Sequence, residues 1–368
     1  MSSNPTSALR FLPLTIVERR ALTDDAIAVR FEIPTDAART FRFEHGQYLT
    51  LRAMIDGAEV RRSYSICSPA GEARPMIGIR RVDGGRFSEF AHRTFAVGTT
   101  VDVAPPAGEF TVPLAAETAR SYLCIAAGSG ITPILSIVAT VLARESRARV
   151  TLLYGNRRTA TMMFREELCL LKNAYLDRLQ WINVMSRERQ DADVLNGRID
   201  NRKGAELNKH LIDIGAFDEF FLCGPEAMIS EVSRGLRREG IDPARIHYEL
   251  FRASAQDARA VIERHEARAR RYAGNVSDVR VRVGGREVSF ELATDGENVL
   301  DAALDAGLDA PFSCKGGVCA TCKAKLVEGE VDMDLNRALS EADLRERYVL
   351  TCQAHPLTAR VVLDYDAV

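Results

Sequence analysis

The sequence predicts a multidomain protein with three successive parts: an antiparallel β-barrel, a doubly wound α/β sheet and a small cysteine-bearing domain. Three observations support this division. Short alternating runs separated by turn signals occupy residues 1–113. Continuous apolar strands alternate with helical stretches in residues 114–252. Residues 277–368 begin near a strand hairpin and contain a tight group of cysteines.

The first part contains a clear hairpin pattern. Residues 47–53, "QYLTLRA", alternate between apolar and polar side chains, and the strand pattern returns in "VRRSYSI" after an Asp56-Gly57 turn. Further short strand-like runs occur at residues 28–33, 75–80 and 100–103. Several short strands at this spacing predict a small all-β barrel.

The second part has a different pattern. The segments "YLCIAA", "RVTLLYG", "LQWINVM" and "EFFLCG" are continuous apolar strands, and residues 132–143 and 226–239 between them have helical spacing. This alternation predicts a doubly wound parallel sheet, which closes with "RIHYELF" near Phe251. Residues 253–276 are rich in Ala, Arg and Glu and are predicted to form a partly helical linker to the third part.

The third part begins with a hairpin around Gly284-Gly285 and then presents "CKGGVCATC". Cys314, Cys319 and Cys322 stand in the spacing C-x4-C-x2-C, and Cys352 in "YVLTCQ" supplies a fourth thiol. This is the plant-type arrangement for the four ligands of a [2Fe-2S] cluster. Structural zinc usually takes two close pairs of ligands, and inert core cysteines do not cluster, so both alternatives fit less well.

Composition excludes several classes of protein. The hydrophobic share of 46% and the charged share of 27% are those of a globular protein rather than a disordered one. A net charge of -2 with both signs mixed along the chain argues against nucleic-acid binding. No apolar stretch approaches the roughly 18 residues of a membrane span. We therefore expect a cytoplasmic protein without a membrane partner, in which clustered cysteines bind metal rather than form disulfides.

These motifs carry a family resemblance. Residues 277–368 resemble a plant-type ferredoxin, and the two preceding parts resemble the ferredoxin-NADP reductase superfamily. The order of the three parts is that of the reductase components of bacterial oxygenases. The resemblance implies a β-grasp [2Fe-2S] domain at residues 277–368, an FAD-binding barrel at residues 1–113 and an NADPH-binding domain at residues 114–252.

The resemblance also assigns a flavin site. "RSYS" matches the flavin signature R-x-Y-S, which implies that Arg62 meets the pyrophosphate, Tyr64 lies along the flavin and Ser65 sits at its N5 edge. "GGRFS" matches the pyrophosphate-binding position, where glycines and a helix start suit a phosphate, and it implies FAD rather than FMN. The flavin residues implied in this way are Arg62, Ser63, Tyr64, Ser65, Gly84, Gly85, Arg86, Phe87 and Ser88.

A nicotinamide site follows from the same resemblance. "AAGSGITPI" directly follows the first parallel strand and opens a helix, as a phosphate-binding loop does. "CGPE" resembles the motif whose cysteine lies near the nicotinamide, and "YELF" resembles the segment that reaches the flavin. Core roles for Cys223 and Phe251 remain open alternatives. The residues implied are Gly128, Gly130, Thr132, Pro133, Cys223, Gly224, Pro225 and Phe251, with Ser65, Cys223 and Glu249 as the catalytic group.

Two loops bear on the choice of nucleotide. "YGNRR" and "MSRE" end the second and third parallel strands, at the sheet edge where such folds bind ligands. Arginine suits the 2'-phosphate of NADPH, whereas NADH enzymes commonly present an acid to the ribose. Ser186 and Arg187 match the superfamily's 2'-phosphate contact, and Arg157 is a plausible helper. The two loops therefore favour NADPH.

The implied function is electron transfer. Hydride carries two electrons and the cluster accepts one, so FAD stands between NADPH and the [2Fe-2S] centre, which passes electrons to a protein acceptor. "LNGRID", residues 195–200, is similar to the subfamily whose acceptor is a di-iron oxygenase that epoxidises phenylacetyl-CoA. The alternatives are a reductase for a ring-hydroxylating or alkane oxygenase or for a hybrid-cluster protein, and a non-catalytic scaffold with a zinc module.

Overall fold

The computed structural model describes residues 10–251 and 255–368, and for Glu226 and residues 255–262 it describes the backbone alone. Contacts group the described chain into two compact units. The larger unit comprises Leu12–Val60 and Tyr64–Glu249, and the smaller unit comprises the rest of the described chain. None of the described helices is both long enough and apolar enough to cross a lipid bilayer.

The larger unit begins with an antiparallel sheet. Its strands are β1 (Leu12–Thr23), β2 (Ala26–Glu32), β3 (Tyr48–Ile55), β4 (Ala58–Ser65), β5 (Met76–Arg80) and β6 (Thr100–Val103), and helix α1 (Arg86–Thr94) follows β5. The six strands are ordered β4-β3-β6-β1-β2-β5. A bridge between Ile66 and Ile77 links the residue after β4 to β5 and closes the sheet on itself. The predicted barrel is confirmed.

The core of the barrel explains the alternation in its sequence. Leu49 and Leu51 of β3 and Val29 and Phe31 of β2 belong to one buried apolar cluster. Successive side chains of a strand face opposite sides of the sheet, so apolar residues at every second position enter the barrel interior. The polar residues between them then face outward.

The second half of the larger unit is a parallel sheet. Its strands are β7 (Ser121–Ala127), β8 (Arg149–Asn156), β9 (Leu179–Met185), β10 (Glu219–Cys223) and β11 (Ile246–Glu249), and its helices are α2 (Ile131–Arg144), α3 (Arg165–Ala174), α4 (Asn201–His210) and α5 (Glu226–Arg238). The five strands are parallel and ordered β11-β10-β7-β8-β9. The order reverses between β7 and β10, where doubly wound sheets open a ligand crevice. The predicted fold is confirmed.

The smaller unit contains the C-terminal domain. Its elements are α6 (Ala255–Tyr272), β12 (Val276–Val283), β13 (Arg286–Ala293), α7 (Val299–Asp305), β14 (Lys323–Glu328), β15 (Val331–Met333), α8 (Glu341–Arg345), β16 (Tyr348–Leu350), β17 (Ala354–Pro356) and β18 (Arg360–Asp364). A mixed five-stranded sheet has the order β13-β12-β18-β14-β16, and β15 pairs with β17. Helix α7 packs against this sheet, so the β-grasp prediction is confirmed.

Two local predictions for this unit can be compared directly with the structure. The β12-β13 turn has Gly284 at φ 58° and Gly285 at φ 75°, as a two-residue hairpin turn requires. The stretch predicted as a linker, residues 253–276, contains the 18-residue helix α6.

Candidate redox cofactor sites

The four cysteines singled out by their spacing come together in the smaller unit. Cys314, Cys319 and Cys322 lie between α7 and β14, and Cys352 lies between β16 and β17. The thiols interact as two pairs. A hydrogen bond with Cys319 lowers the pKa of Cys314 to about 6, and the bond with Cys322 lowers the pKa of Cys352.

Two pairs of thiols suit a two-iron cluster. A [2Fe-2S] cluster held by four thiolates presents two coordination positions on each iron. A structural zinc ion instead needs its ligands to converge on one centre. Within the described chain, no group of three or more His, Cys, Asp or Glu side chains is arranged to hold a single metal ion. Four thiols that interact in two pairs match the donor set of such a cluster.

The two glycines of the cysteine loop have different roles. Gly317 has φ 71°, and a Cβ added there would lie 2.8 Å from the Leu335 carbonyl oxygen, so backbone conformation and space both require glycine. Gly316 donates its N–H to Cys314 Sγ at 3.3 Å, while its nearest Cβ contact would be an ordinary 3.7 Å. Gly317 thus allows the cysteine loop to pack closely against the Leu335 backbone. Gly316 supplies a hydrogen bond to the sulfur of Cys314, a candidate ligand.

The predicted flavin residues lie at two places on the barrel. Strand β4 carries Arg62 to Ser65, and α1 begins directly after Gly85. Ser88 Oγ accepts a hydrogen bond from the Val82 N–H at 3.1 Å and donates one to the Gly85 carbonyl at 3.1 Å. These contacts shape the glycine turn before α1. By helix geometry, the first-turn N–H groups of α1 have no partner within the helix and can receive a phosphate.

The aromatic residues of this region differ in exposure. Phe87 is buried in the barrel core, and its ring centroid lies 5.9 Å from that of the partly buried Tyr64. Phe87 therefore supports Tyr64 from the core side. Arg62 and Ser63 belong by contact to the smaller unit, and so does Phe251, whose side chain is 37% exposed.

The structure brings the three predicted catalytic residues together. Ser65 Oγ donates a hydrogen bond to Glu249 Oε2 at 2.7 Å. Glu249 ends β11 and pairs in register with Cys223, which ends β10. Burial raises the pKa of Glu249 to about 7, and the hydrogen bond from Ser65 opposes this shift. The carboxyl group can therefore hold or release a proton near neutral pH.

Cys223 differs from the cluster cysteines. Its side chain is fully buried, and burial together with the nearby Glu249 carboxylate raises its pKa well above the ordinary range. At neutral pH the side chain is a neutral thiol. It can pack against an apolar ring face, whereas thiolate chemistry is disfavoured.

Two loops meet at the switch point of the parallel sheet. Gly128 follows β7 with φ 55°, and a Cβ added to Gly130 would lie only 2.1 Å from the Cys223 carbonyl oxygen. The Gly-Ser-Gly loop thus rests directly on the backbone of the Cys-Gly-Pro loop. Thr132 Oγ1 donates to the Ser129 carbonyl at 3.0 Å, and Pro133 lies in the first turn of α2, where no N–H is needed.

Comparison with known proteins agrees with this architecture. Residues 13–112 match the family described as an oxidoreductase FAD-binding domain, and residues 124–234 match an oxidoreductase NAD-binding domain. Residues 281–357 match a 2Fe-2S iron-sulfur cluster binding domain. The predicted flavin, nicotinamide nucleotide and cluster are therefore confirmed as the cofactors of these domains.

Relatives of similar length align with nearly the whole chain. The chain is 42% identical over 360 residues to a component of the 1,2-phenylacetyl-CoA epoxidase of Escherichia coli strain K12, an alignment that covers 97% of this chain and 98% of the relative. The chain belongs to the oxygenase reductases of the ferredoxin-NADP reductase superfamily. The reductase is also 30% identical to the ferredoxin reductase component of 3-ketosteroid-9-alpha-monooxygenase from Rhodococcus rhodochrous, over 93% of each chain.

A solved structure shows the same fold. Phthalate dioxygenase reductase superimposes on this reductase with a TM-score of 0.60 at 24% identity, covering 96% of this chain and 98% of that one. The predicted activity class, an oxidoreductase that transfers electrons to an oxygenase, is confirmed by the relatives and the three domains.

Two residues of the reductase that the sequence analysis missed lie beside the Gly-Ser-Gly loop. If Gly128 carried a side chain, its Cβ would lie 3.4 Å from Arg80 Nη1. Arg80 Nε donates a hydrogen bond to Asp25 Oδ2 at 2.8 Å. The Tyr154 hydroxyl donates to the Gly128 carbonyl at 3.1 Å. In the sequence, Arg80 is marked only by the Arg80-Arg81 pair before the Gly84-Gly85 turn. Such a pair looks the same as two ordinary surface arginines. Tyr154, fully buried on an apolar strand, gave no signal.

The arginine loops of the reductase lie side by side at the carboxyl edge of the sheet. The Ser186 N–H donates to the Asn156 carbonyl at 2.9 Å, and the Arg187 N–H donates to the Arg157 carbonyl at 2.9 Å. Both Arg157 and Arg187 have exposed side chains. The hydrogen bonds join the two loops and keep the two arginines adjacent.

Glu188, an acidic residue of these loops, is hydrogen-bonded within the protein. The carboxylate of Glu188 accepts hydrogen bonds from the Thr159 N–H at 2.8 Å and from the Thr159 hydroxyl. The hydrogen bond from the Thr159 hydroxyl is the main cause of the lowered pKa of Glu188. An acid that is held in this way is poorly placed to bind the ribose hydroxyls of NADH.

Glu249→Gln is expected to change the pH dependence of stability. The pKa of Glu249 is raised from about 4.5 to about 7, so its contribution to stability is fully present below pH 4.5 and is lost as the pH rises through 7. Glutamine cannot ionise. The difference in unfolding free energy between Glu249→Gln and the wild type should therefore grow by about 2 kcal/mol between pH 5 and pH 7 and then level off.

The release of FAD fluorescence on unfolding, measured from pH 4.5 to pH 8, tests this expectation. Glu291→Gln, at an exposed position on β13, serves as the control for the substitution itself. A constant difference between Glu249→Gln and the wild type at every pH would show that Glu249 does not titrate near 7.

Proposed function

We propose that this reductase acts in the cytoplasm and transfers electrons from NADPH to a di-iron oxygenase that epoxidises phenylacetyl-CoA. The single observation that carries the choice of acceptor is the 42% identity, over nearly the full length of both chains, to the component of the Escherichia coli epoxidase. The steroid monooxygenase reductase is less similar, at 30% identity. A reductase must dock on its oxygenase, so similarity along the whole chain supports a similar acceptor.

The flavin site is proposed from the residues of β4 and α1. Bound FAD accepts hydride as an electron pair and releases electrons singly, which is the chemistry that a nicotinamide nucleotide and an iron-sulfur cluster cannot perform together. Tyr64, which Phe87 supports on its core side, would lie along the isoalloxazine ring. The first-turn N–H groups of α1 and the Arg62 guanidinium would hold the pyrophosphate, with further polar groups from Ser63 and Arg86.

The nicotinamide site is proposed at the switch point of the parallel sheet. The Gly128 to Gly130 loop and the Arg80 guanidinium would hold the pyrophosphate, and Tyr154 holds the Gly128 carbonyl in place. Cys223 offers a neutral, buried thiol to the nicotinamide face. Ser65 and Glu249 share a hydrogen bond and can hold a proton beside Cys223. The chain's contribution is to orient the rings and exclude water.

The cluster site is proposed from the two thiol pairs. Cys314, Cys319, Cys322 and Cys352 would hold the cluster through four thiolates, which the structure brings together as the pairs Cys314–Cys319 and Cys322–Cys352. Gly316 donates a backbone hydrogen bond to the Cys314 sulfur. Hydrogen bonds to ligating sulfurs tune the reduction potential of such clusters.

A reconstitution assay tests the proposed acceptor. The purified reductase, NADPH and the oxygenase components of a phenylacetyl-CoA epoxidase should convert phenylacetyl-CoA with NADPH consumption matched to product. A ring-hydroxylating oxygenase in the same assay should give at most uncoupled NADPH oxidation. Ferricyanide, which accepts electrons directly from flavin, verifies that each preparation is active. Efficient coupling to the ring-hydroxylating oxygenase, without epoxidation, would reject the assignment of the acceptor.

Preference for NADPH is proposed from the paired arginines. Arg157 and Arg187 extend from adjacent strand ends, and Glu188 is bound to Thr159 instead of facing a ribose. Ser186 adds a hydroxyl and an N–H beside them. This arrangement favours a phosphate over a diol, because a guanidinium binds phosphate through charge-assisted, often bidentate hydrogen bonds.

Arg187→Ala is expected to raise the KM for NADPH by roughly 10- to 100-fold and to leave the KM for NADH nearly unchanged. The lost contact, about 1.5–3 kcal/mol, exists only with the 2'-phosphate. Steady-state ferricyanide reduction with each nucleotide measures both constants. Arg149→Ala is the matched control, because Arg149 is exposed at the opposite end of β8. Equal weakening of both nucleotides would remove the basis for NADPH preference.

A further inference from the structure

Helix α6 is joined to the C-terminal domain through a buried arginine. The Arg268 side chain is 2% exposed, and Arg268 Nη1 donates hydrogen bonds to Asp332 Oδ2 and Asp334 Oδ1, each at 2.8 Å. One turn earlier, Arg264 Nη1 donates to the Met333 carbonyl at 2.7 Å. A cation this deeply buried is retained only with compensating partners, so the contact is a specific structural feature.

The two aspartates begin a short segment that touches both parts of the cluster site. We call residues 332–337 the brace segment. The Asp334 N–H donates to the Gln353 carbonyl at 2.9 Å, and Gln353 directly follows Cys352. At the other end of the segment, the Arg337 N–H donates to the Gly317 carbonyl at 3.0 Å. The brace segment therefore contacts the Cys314–Cys322 loop as well as the strand end that carries Cys352.

The contacts near Cys352 are close to the sulfur itself. Gln353 Nε2 donates to the Lys315 carbonyl at 3.2 Å and lies 3.6 Å from Cys352 Sγ. The Gln353 side chain packs closely over Gly317, since a Cβ added to this glycine would lie only 3.2 Å from Gln353 Cγ. A displacement of the brace segment would therefore move Gln353 and change the surroundings of the Cys352 sulfur.

The charges of this contact depend on Arg268. Asp332 and Asp334 both face the Arg268 guanidinium. Asp334 also contacts His355, with Nε2 of the imidazole 3.0 Å from Asp334 Oδ2. Burial disfavours the charged form of Asp334, but hydrogen bonds with His355 and Arg268 lower its pKa, so Asp334 is ionised. Without the guanidinium, two neighbouring carboxylates would repel each other, and the segment would have to move toward water.

We propose that Arg268 is a positioning residue for the [2Fe-2S] cluster. Through Asp332 and Asp334 it holds the brace segment against Gly317 and Gln353, and so it maintains the cluster's reduction potential and its retention by the protein. Helix α6 is then a part of the cluster domain, although its sequence reads as a linker. The proposal rests on the assignment of Cys352 as a ligand, and it concerns residues that are not cluster ligands.

Arg268→Gln in the full-length holoprotein tests the proposal. The midpoint potential, from a titration followed by electron paramagnetic resonance, should become more negative because a positive charge leaves the surroundings of the cluster. Loss of the cluster to an iron chelator should be several-fold faster. The conservative Arg268→Lys should restore part of both properties. Arg270→Gln, 72% exposed on the same helix, is the control and should match the wild type.

Asp332→Asn provides a milder second variant in case Arg268→Gln does not assemble. It removes one carboxylate but leaves Arg268 bonded to Asp334, so we expect a smaller acceleration of cluster loss. FAD content and ferricyanide reduction, which do not require the cluster, should be unchanged in all variants. Wild-type potential and retention in both Arg268→Gln and Asp332→Asn would overturn the proposal. A wild-type protein without a [2Fe-2S] signal would instead reject the proposed cluster site.

Discussion

Cys352→Ser is expected to abolish the [2Fe-2S] signal or reduce it strongly while FAD remains bound. Cys352 is the thiol that the sequence supplies from outside the cysteine loop, and it pairs with Cys322 at a site where its side chain is 4% exposed. Removing a residue that only hydrogen-bonds to a metal ligand commonly lowers metal affinity or activity about 10- to 100-fold. Removing a ligand itself should have a larger effect, so we expect oxygenase-coupled turnover to fall by more than about 100-fold.

Ferricyanide reduction should survive this substitution, because the flavin can transfer electrons to ferricyanide without the cluster. The measurements are iron and sulfide content, electron paramagnetic resonance after reduction, and NADPH oxidation with ferricyanide. Cys169→Ser is the matched control, since Cys169 is an exposed cysteine of the larger unit. If Cys352→Ser retains a full [2Fe-2S] signal, another residue is the fourth ligand.

Gly130→Ala is expected to block flavin reduction by the nicotinamide nucleotide. The added Cβ would lie 2.1 Å from the Cys223 carbonyl oxygen and 2.8 Å from the Gly224 nitrogen, and both contacts are with backbone. Neither loop can relieve this overlap by a side-chain rotation. Separating the loops should lower kcat/KM for NADPH by at least about 100-fold, because small displacements of positioned groups can cost this much. Overpacking should also cost about 1–3 kcal/mol of stability.

The matched control for this substitution is Gly204→Ala. Gly204 lies within α4, and no other described residue has an atom within 4 Å of its added Cβ, apart from its chain neighbours and the helix backbone. Alanine there should be neutral or stabilising by up to about 1 kcal/mol. Stopped-flow reduction of FAD by NADPH compares the two variants, and FAD content shows whether the barrel is intact. Wild-type reduction of Gly130→Ala would show that the loop contact is dispensable.

Local patterns in the sequence were sufficient to predict most strands and to propose the cysteine ligand set. The spacing of Cys314, Cys319 and Cys322 is that expected of a single loop around a cluster, and such a requirement is written within a few consecutive residues. The turn at Gly284-Gly285 is equally local. Strand β1 escaped prediction because irregular pairing between Ile16 and Glu18 and again near Ala21 interrupts its alternation.

The sequence by itself determined the order of the domains, and the family resemblance of its motifs determined the cofactors and the predicted site residues, because such motifs are local. The tertiary structure alone decided which distant residues meet. Ser65 bonds to Glu249 across 184 positions, and Gly130 rests on Cys223, since closure of the barrel and the strand order of the parallel sheet bring their chain segments together. Helix α6 reads as a linker because it is rich in Ala, Arg and Glu, and the buried ion pair of Arg268 with Asp332 and Asp334 has no periodicity that a sequence could reveal.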